Sequence, residues 1–351
     1  MGANLDKAGA RRHPGQMTAR PGPRNLITDV PGIAVGQAED ARARTGVTVI
    51  LPDDRAVAAV DVRGGGPGTR ETDALAPETL VEAVDAIVLA GGSVYGLAAA
   101  DAVTAWLGAR GRGFGMAAGA PPAPIVPAAI LYDLANGGDK GWGESPPYQG
   151  LGRAAAEGAG ADFQLGGFGA GAGAMAGTLK GGTGSASIIG DDGITVGALA
   201  AVNSFGSVIV PGARAFWAAP FEIGDEFGGI AMGAARAGAD DWGLAKRAAQ
   251  ARESTTLAVI ATDAQLTPAE ARRVAIMAQA GLARAIRPAH APFDGDVVFV
   301  LATGAAALAD PRPTALTWLG SLAADCLARA IARGVYEAVA WPGVRAWRDL
   351  G

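Results

Sequence analysis

In the segment STTLAVIATD (254–263), two adjacent threonines, Thr255 and Thr256, stand directly before an apolar run. A threonine hydroxyl is a poor nucleophile until a base takes its proton. A threonine that begins a chain carries that base itself. Its α-amine has a pKa of about 7.7–8.0 and is partly neutral near pH 7. Freeing such an amine here requires cleavage of the Ser254–Thr255 bond. The Thr255 hydroxyl attacks the preceding carbonyl, the acyl group shifts from nitrogen to oxygen, and water resolves the ester. The same pair also reads as two β-formers opening a strand, and the segment alone favours that plainer reading. A start one residue later, at Thr256, is an alternative.

Other chemistry-bearing residues are few. Only His13 and His290 exist, so Ser–His or Cys–His triads and multi-histidine metal sites have little to build on. Ser93 in AGGSVYG stands between a strand and a helix, as a hydrolase nucleophile would. Tyr95 occupies the last glycine position of G-x-S-x-G, however, and His290 is the one plausible partner, so Ser93 reads as a helix N-cap. Asp294 and Asp296 in FDGDVVFV lie two apart at a strand start and tend to one side. Such a pair can orient an amine or share a proton, although Asp-Gly is also a common turn, and alone the turn is the better reading.

The stretch GGFGAGAGAMAGTLKGGTGSAS contains a G-x-G-x-x-A match at Gly171, Gly173 and Ala176. It lacks the preceding strand and following helix of a dinucleotide site, and Gly181 after Lys180 breaks any Walker pattern. What remains is a flexible loop with one cation, Lys180, and backbone N–H groups for a polar substrate. No metal or organic cofactor is implied. The lone Cys326 excludes an internal disulfide and, within a helical pattern, reads as an inert buried thiol.

These residues need a scaffold. With 50% hydrophobic and 18% charged residues the chain can bury a large core, and a net charge of −5 argues against nucleic-acid and anionic-membrane partners. No run of 18 uninterrupted apolar residues free of charge and turn signals appears, so no spanning helix and a cytoplasmic location are expected. Residues 1–24 read as a disordered tail and 25–351 as a single catalytic domain. Two strands flank Pro52-Asp53-Asp54, and a strand, glycine turn and helix run to about Gly111. The middle is loop-rich, and a hairpin turns at Gly190-Asp191-Asp192-Gly193 and continues into further strand. Residues 211–243 read as a mobile linker, and 244–252 as a short helical or loop approach to Thr255. Beyond it, Thr267 caps a helix with Pro268 and Glu270 in the first turn, DVVFVLATG is a buried strand, and Leu316, Leu319, Ala323, Leu327 and Ile331 mark a last helix. Recurring hairpins favour layered sheets covered by helices over a purely parallel sheet.

The motifs NLITDVPGIAVGQ, DVRGGGPGTRET, AGGSVYGL, ILYDL, GAGAGAMAGTLKGGTGSAS, AAVNSFGSVIV, STTLAVIATDAQLT and DGDVVFVLATG occur in consistent order. Together, across about 25–339, they resemble the DmpA-like P1 family of self-processing aminopeptidases, which includes β-peptidyl aminopeptidases and nylon-oligomer hydrolases. The resemblance implies an α+β fold, an αββα sandwich of the N-terminal-nucleophile type, cleaved into fragments 1–254 and 255–351. It implies Thr255 as nucleophile, Asn203 helping to hold the oxyanion, Tyr132 and Lys180 lining the site, and Asp294 and Asp296 as the acidic pair of the nylon-oligomer branch. Related threonine-type members commonly have Asn before the nucleophile, where this chain has Ser254. The implied activity is hydrolysis of short peptides or amides of β- or ω-amino acids through an acyl-Thr255 intermediate, in a homo-oligomer of processed heterodimers. An ornithine acetyltransferase-like acyltransferase and an unprocessed ligand-binding homologue are the alternatives.

Overall fold

In the computed structural model, residues 19–246 and 254–351 are described. The first half of the chain gives β1 (Ile33–Asp40), β2 (Thr45–Pro52), β3 (Ala56–Val62), β4 (Thr69–Arg70), β5 (Ala83–Val84), β6 (Ile87–Ala90), α1 (Ala98–Gly108), β7 (Ala128–Ile130) and α2 (Tyr148–Glu157). Then come β8 (Met175–Ala176), β9 (Leu179–Lys180), β10 (Gly182–Ile189) and β11 (Thr195–Asn203). After the approach to Thr255 follow β12 (Thr255–Ala264), α3 (Pro268–Ala285), β13 (Val297–Ala306) and α4 (Arg312–Tyr336).

Three apolar cores separate four layers. The first lies between α1, α2 and a sheet ordered β1-β2-β6-β7-β4, and includes Val47, Val88, Val103, Leu107 and Ala155. The second lies between that sheet and a second one, ordered β10-β11-β12-β13-β3-β5, with Ile50 and Leu89 facing Val259 and Phe299. The third packs the second sheet against α3 and α4 through Ile260, Val300, Val274, Leu327 and Ile331. This is the αββα sandwich. Both sheets mix parallel and antiparallel pairs, as the recurring hairpins require.

Strand periodicity explains how β12 serves two cores. Leu257, Val259 and Ala261 face the other sheet, while Ala258 and Ile260 face the helices. By the same alternation Thr255 falls on the inter-sheet side and Thr256 on the helix side. In β11, Leu199 and Ala201 face the other sheet, so Asn203 lies on the same side as Thr255. The capping box at Thr267 forms as expected, with Glu270 N donating to Thr267 Oγ1 at 3.3 Å and Thr267 N donating to Glu270 Oε2 at 2.9 Å.

Several expectations are corrected. Strands β2 and β3 do flank the Asp53-Asp54 turn, but they belong to different sheets. The loop-rich middle contains α2, hidden in the sequence by Gly150 and Gly152. The hairpin strand β11 ends at Asn203, and beyond it only isolated bridges at Ser207 and Ile209 continue. The segment 211–243 is irregular yet anchored, since Phe216 and Phe227 are buried and Phe216 stacks on Trp347. Residues 19–24 are not a free tail: Arg20 and Ile189 exchange backbone hydrogen bonds at 3.1 and 2.7 Å. Residues 1–18 and 247–253 lie outside the described residues.

The glycine-rich stretch is not a flexible loop either. A β-carbon at Gly171 would lie 2.1 Å from the Thr183 nitrogen, and one at Gly173 would lie 2.3 Å from Asp133 Oδ2. These glycines serve close packing. Ser93 sits at φ 52° in a short 3₁₀ turn whose cap is Gly92, with no capping hydrogen bond from a side chain. Helix α4 is long and apolar enough to cross a membrane by length and composition, but 67% of its most apolar window is buried against the second sheet and α3. Cys326 lies in its core face, and burial pushes the thiol up to about 12.

Candidate active site

The site forms where two strands begin side by side. Strands β12 and β13 are parallel, with Leu257 opposite Val297, so the residues preceding each strand meet at one edge. Ser254 and Asp294 form a bridge there. On the other flank the antiparallel pairing of β11 sets Asn203 opposite Thr255. Register alone thus brings together residues 203, 254–256 and 294–296.

Thr255 is buried, and its Oγ1 donates to the Ser254 carbonyl oxygen at 2.5 Å. That carbonyl oxygen also accepts from Gly295 N at 3.0 Å. A backbone N–H is therefore aimed at the oxygen on which negative charge would develop if the hydroxyl attacked the Ser254 carbonyl carbon. Thr256 is fully buried on the other face, and its hydroxyl has no hydrogen-bond partner among the described residues. It is the Thr255 hydroxyl, and not that of Thr256, that lies against the Ser254 carbonyl oxygen.

The acidic pair is built into the backbone around this point. Asp294 accepts from Phe205 N at 3.2 Å on Oδ1 and from Ala291 N at 2.8 Å on Oδ2. Asp296 Oδ1 accepts from Thr256 N at 2.8 Å, and its Oδ2 accepts from His290 N at 3.1 Å. His290 Nδ1 lies 2.9 Å from the same Oδ2. The Asp-Gly-Asp segment is thus a clamp, with two carboxylates fixing neighbouring segments while the glycine N–H meets the Ser254 carbonyl. Burial, followed by the charge of Asp296, raises the Asp294 carboxyl to about 6, and the nearby Lys246 ammonium partly opposes the shift.

Asn203 is held at both ends of its amide. Met175 N donates to Oδ1 at 2.8 Å, and Nδ2 donates to the Tyr132 carbonyl at 3.0 Å. Tyr132 lines a cavity of about 310 Å³ together with Asp133, Asn203, Lys246 and Trp341. Asp133 accepts from Thr45 Oγ1 at 2.6 Å and Gly92 N at 2.8 Å, and burial raises its carboxyl above the usual range.

Lys180 does not meet the cavity as an exposed cation. It is fully buried and donates to the carbonyls of Gly171, Ala174 and Gly181 at 3.2, 3.1 and 2.7 Å, with its ammonium 4.5 Å from the centre of the Trp341 ring. Desolvation lowers its pKa to about 7. Its contacts stiffen the 171–181 segment, whose Met175 N–H in turn holds Asn203.

Thr255, Asn203, Asp294 and Asp296 therefore converge, Tyr132 borders them, and Lys180 supports them from behind. Sequence reasoning missed three contributors. His290 was legible only as one of two histidines, six residues before Asp296. Gly295 was hidden between the aspartates. Lys246 lies in the stretch read from sequence only as a short helical or loop approach, yet it is buried, with Nζ 3.3 Å from Ser254 Oγ.

Residues 25–347 match peptidase family S58. A protein of Mycobacterium tuberculosis described as an uncharacterized aminopeptidase is 46% identical over 348 residues, covering 93% of this chain and 98% of its own length. A 6-aminohexanoate-oligomer endohydrolase of a Kocuria species is 30% identical over 297 residues, covering 80% of this chain and 76% of its own. Among solved structures, a β-aminopeptidase of a Burkholderia species superposes with a TM-score of 0.67 at 25% identity, covering 92% of this chain and 89% of that one. The chain belongs to peptidase family S58, and its chemistry is amide-bond hydrolysis.

Proposed function

We propose that the chain cuts itself between Ser254 and Thr255 and then acts as an N-terminal-threonine hydrolase on short peptides or on oligoamides of β- or ω-amino acids. The observation that carries this reading is the Thr255 hydroxyl held 2.5 Å from a Ser254 carbonyl oxygen that already accepts a backbone N–H from Gly295. Attack of Oγ1 on the carbonyl carbon forms a C–O bond, and the oxygen's charge is met by that N–H. Collapse breaks the C–N bond, and the hydroxyl proton ends on the departing amine. Water then hydrolyses the Ser254 ester, leaving a carboxylate on fragment 1–254 and a free α-amine on Thr255.

In the mature enzyme that amine takes the proton from its own hydroxyl as Oγ1 attacks a substrate carbonyl. The amine product leaves, and water resolves the acyl-Thr255 ester. Asn203, opposite Thr255 in the register, is assigned to help hold the oxyanion of the substrate. The resemblance of Asp294 and Asp296 to the acidic pair of the nylon-oligomer branch supports an amine-bearing oligoamide substrate. The descriptions of the Mycobacterium tuberculosis and Kocuria relatives favour the same substrate classes. Intact-mass analysis tests the reading. Two fragments, 1–254 and 255–351, should appear and vanish in Thr255→Ala, together with all amidase activity. A wild-type chain that hydrolyses amides while remaining full-length would refute it.

A further inference from the structure

Lys246 lies eight residues before Ser254, on the side of the scissile bond that departs, yet its ammonium is buried at the site. Its Nζ lies 3.3 Å from Ser254 Oγ, 3.3 Å from the Asn203 carbonyl oxygen and 3.5 Å from Asn203 Oδ1. Its own backbone is fastened, with Lys246 N donating to the Phe205 oxygen at 2.9 Å and Thr178 N donating to the Leu244 oxygen at 2.8 Å. A lysine is rarely buried without a specific purpose, because its side chain loses both hydration and rotamer freedom. Here the ammonium joins the residue before the scissile bond to the residue facing the nucleophile.

We infer that Lys246 is a positioning residue for self-cleavage, gripping the Ser254 side chain and Asn203 so that the Ser254 carbonyl stays under the Thr255 hydroxyl and the Gly295 N–H. The inference rests on the self-processing reading but assigns that step a residue of its own. The grip runs through side-chain and backbone oxygens on both flanks of Thr255. Without it, the residue on the leaving side is held by backbone contacts to the 294–295 segment, and the attack geometry loosens. Misplacements on the order of 1 Å cost such reactions roughly a hundredfold.

The test follows cleavage of freshly purified full-length chain by intact mass. Lys246→Met should slow cleavage about tenfold to a hundredfold, with Lys246→Arg recovering much of the rate, because a cation restores the charge-assisted contacts. Ser254→Ala should slow cleavage too, and the Lys246→Met/Ser254→Ala double variant should be little slower than Lys246→Met alone. Thermal melts of each variant in a Thr255→Ala background, which blocks cleavage, separate this effect from damage to the fold. Wild-type rates in Lys246→Met, with the wild-type chain cleaving, would overturn the inference and leave the reading of Thr255 standing. So would full additivity of the two substitutions, or loss of rate matched by loss of fold. A wild-type chain that never cleaves would overturn both.

Discussion

Replacing Asp294 by Asn should change stability in opposite directions at low and high pH. In the folded chain burial raises the Asp294 carboxyl from its ordinary 3.8 to about 6. The folded state thus holds the proton more tightly than the unfolded one. The stabilisation from that proton is fully present below about pH 4 and is lost as pH rises through about 6. A shift of roughly two units corresponds to a swing on the order of 3 kcal/mol. Asn cannot titrate, so the swing disappears in the variant. Asn also brings a cost. The two carboxylate oxygens accept from Phe205 N and Ala291 N separately, and an amide must turn its NH₂ toward one of these donors. A buried donor left without an acceptor costs about 1–3 kcal/mol. The variant should therefore be less stable than its parent by about 1–3 kcal/mol at pH 4. At pH 8 it should be equal to its parent or more stable by up to about 2 kcal/mol, where the parent must bury a carboxylate. Urea unfolding in the uncleaved Thr255→Ala background, followed by tryptophan fluorescence and circular dichroism together, measures both differences. A destabilisation of the same size at pH 4 and pH 8 would show that Asp294 titrates normally and would refute the reasoning.

Two other substitutions probe the site from different sides. Gly295→Ala places a β-carbon 2.6 Å from Thr255 Oγ1 and 3.0 Å from the Gly66 oxygen, so the hydroxyl must move and cleavage should slow at least about a hundredfold by intact mass. Lys180→Met removes an ammonium whose pKa burial lowers to about 7. Because the unfolded chain holds that proton up to its ordinary 10.5, the wild type gains stability as pH rises above 7, and the variant lacks this gain. Its deficit should grow by up to about 3 kcal/mol between pH 7 and pH 9 in denaturant titrations, and a deficit independent of pH would contradict the buried-cation account.

How much of this was legible in the sequence depends on what each feature needs. Local patterns survive translation well. The capping box at Thr267, the hairpin at Gly190-Asp191-Asp192-Gly193 and the apolar run of β12 are each specified by a few adjacent residues, and each appears. The four-layer architecture was legible through the family resemblance and from recurring hairpins, whereas the assignment of β2 and β3 to different sheets was not, because a turn dipeptide does not say which sheet its second strand joins. The glycine-rich stretch failed for a related reason. Gly171 and Gly173 read as flexibility, but their neighbours in space, Thr183 and Asp133, are set by tertiary packing. The Asp-Gly-Asp segment alone looked like a turn. Only the parallel pairing of β12 with β13 sets its glycine N–H on the Ser254 carbonyl, and parallel pairing joins segments separated by a whole helix.

Under the proposed self-cleavage, the same geometry tolerates serine at position 254. The proposed attack on the Ser254 carbonyl would involve the backbone, and the donor on that carbonyl is also backbone, from Gly295. The proposed nucleophile is the next residue, Thr255, which lies on the inter-sheet face of β12. No reacting atom belongs to the side chain at 254. That side chain is therefore free to vary, provided something keeps its residue from swinging away as the bond breaks. In this chain the restraint is shared by the Ser254–Asp294 bridge and the buried ammonium of Lys246 on Ser254 Oγ. A short hydroxyl facing a cation suffices for that restraint, and the proposed chemistry then turns on one register: β11, β12 and β13 meeting at the N-terminal end of β12.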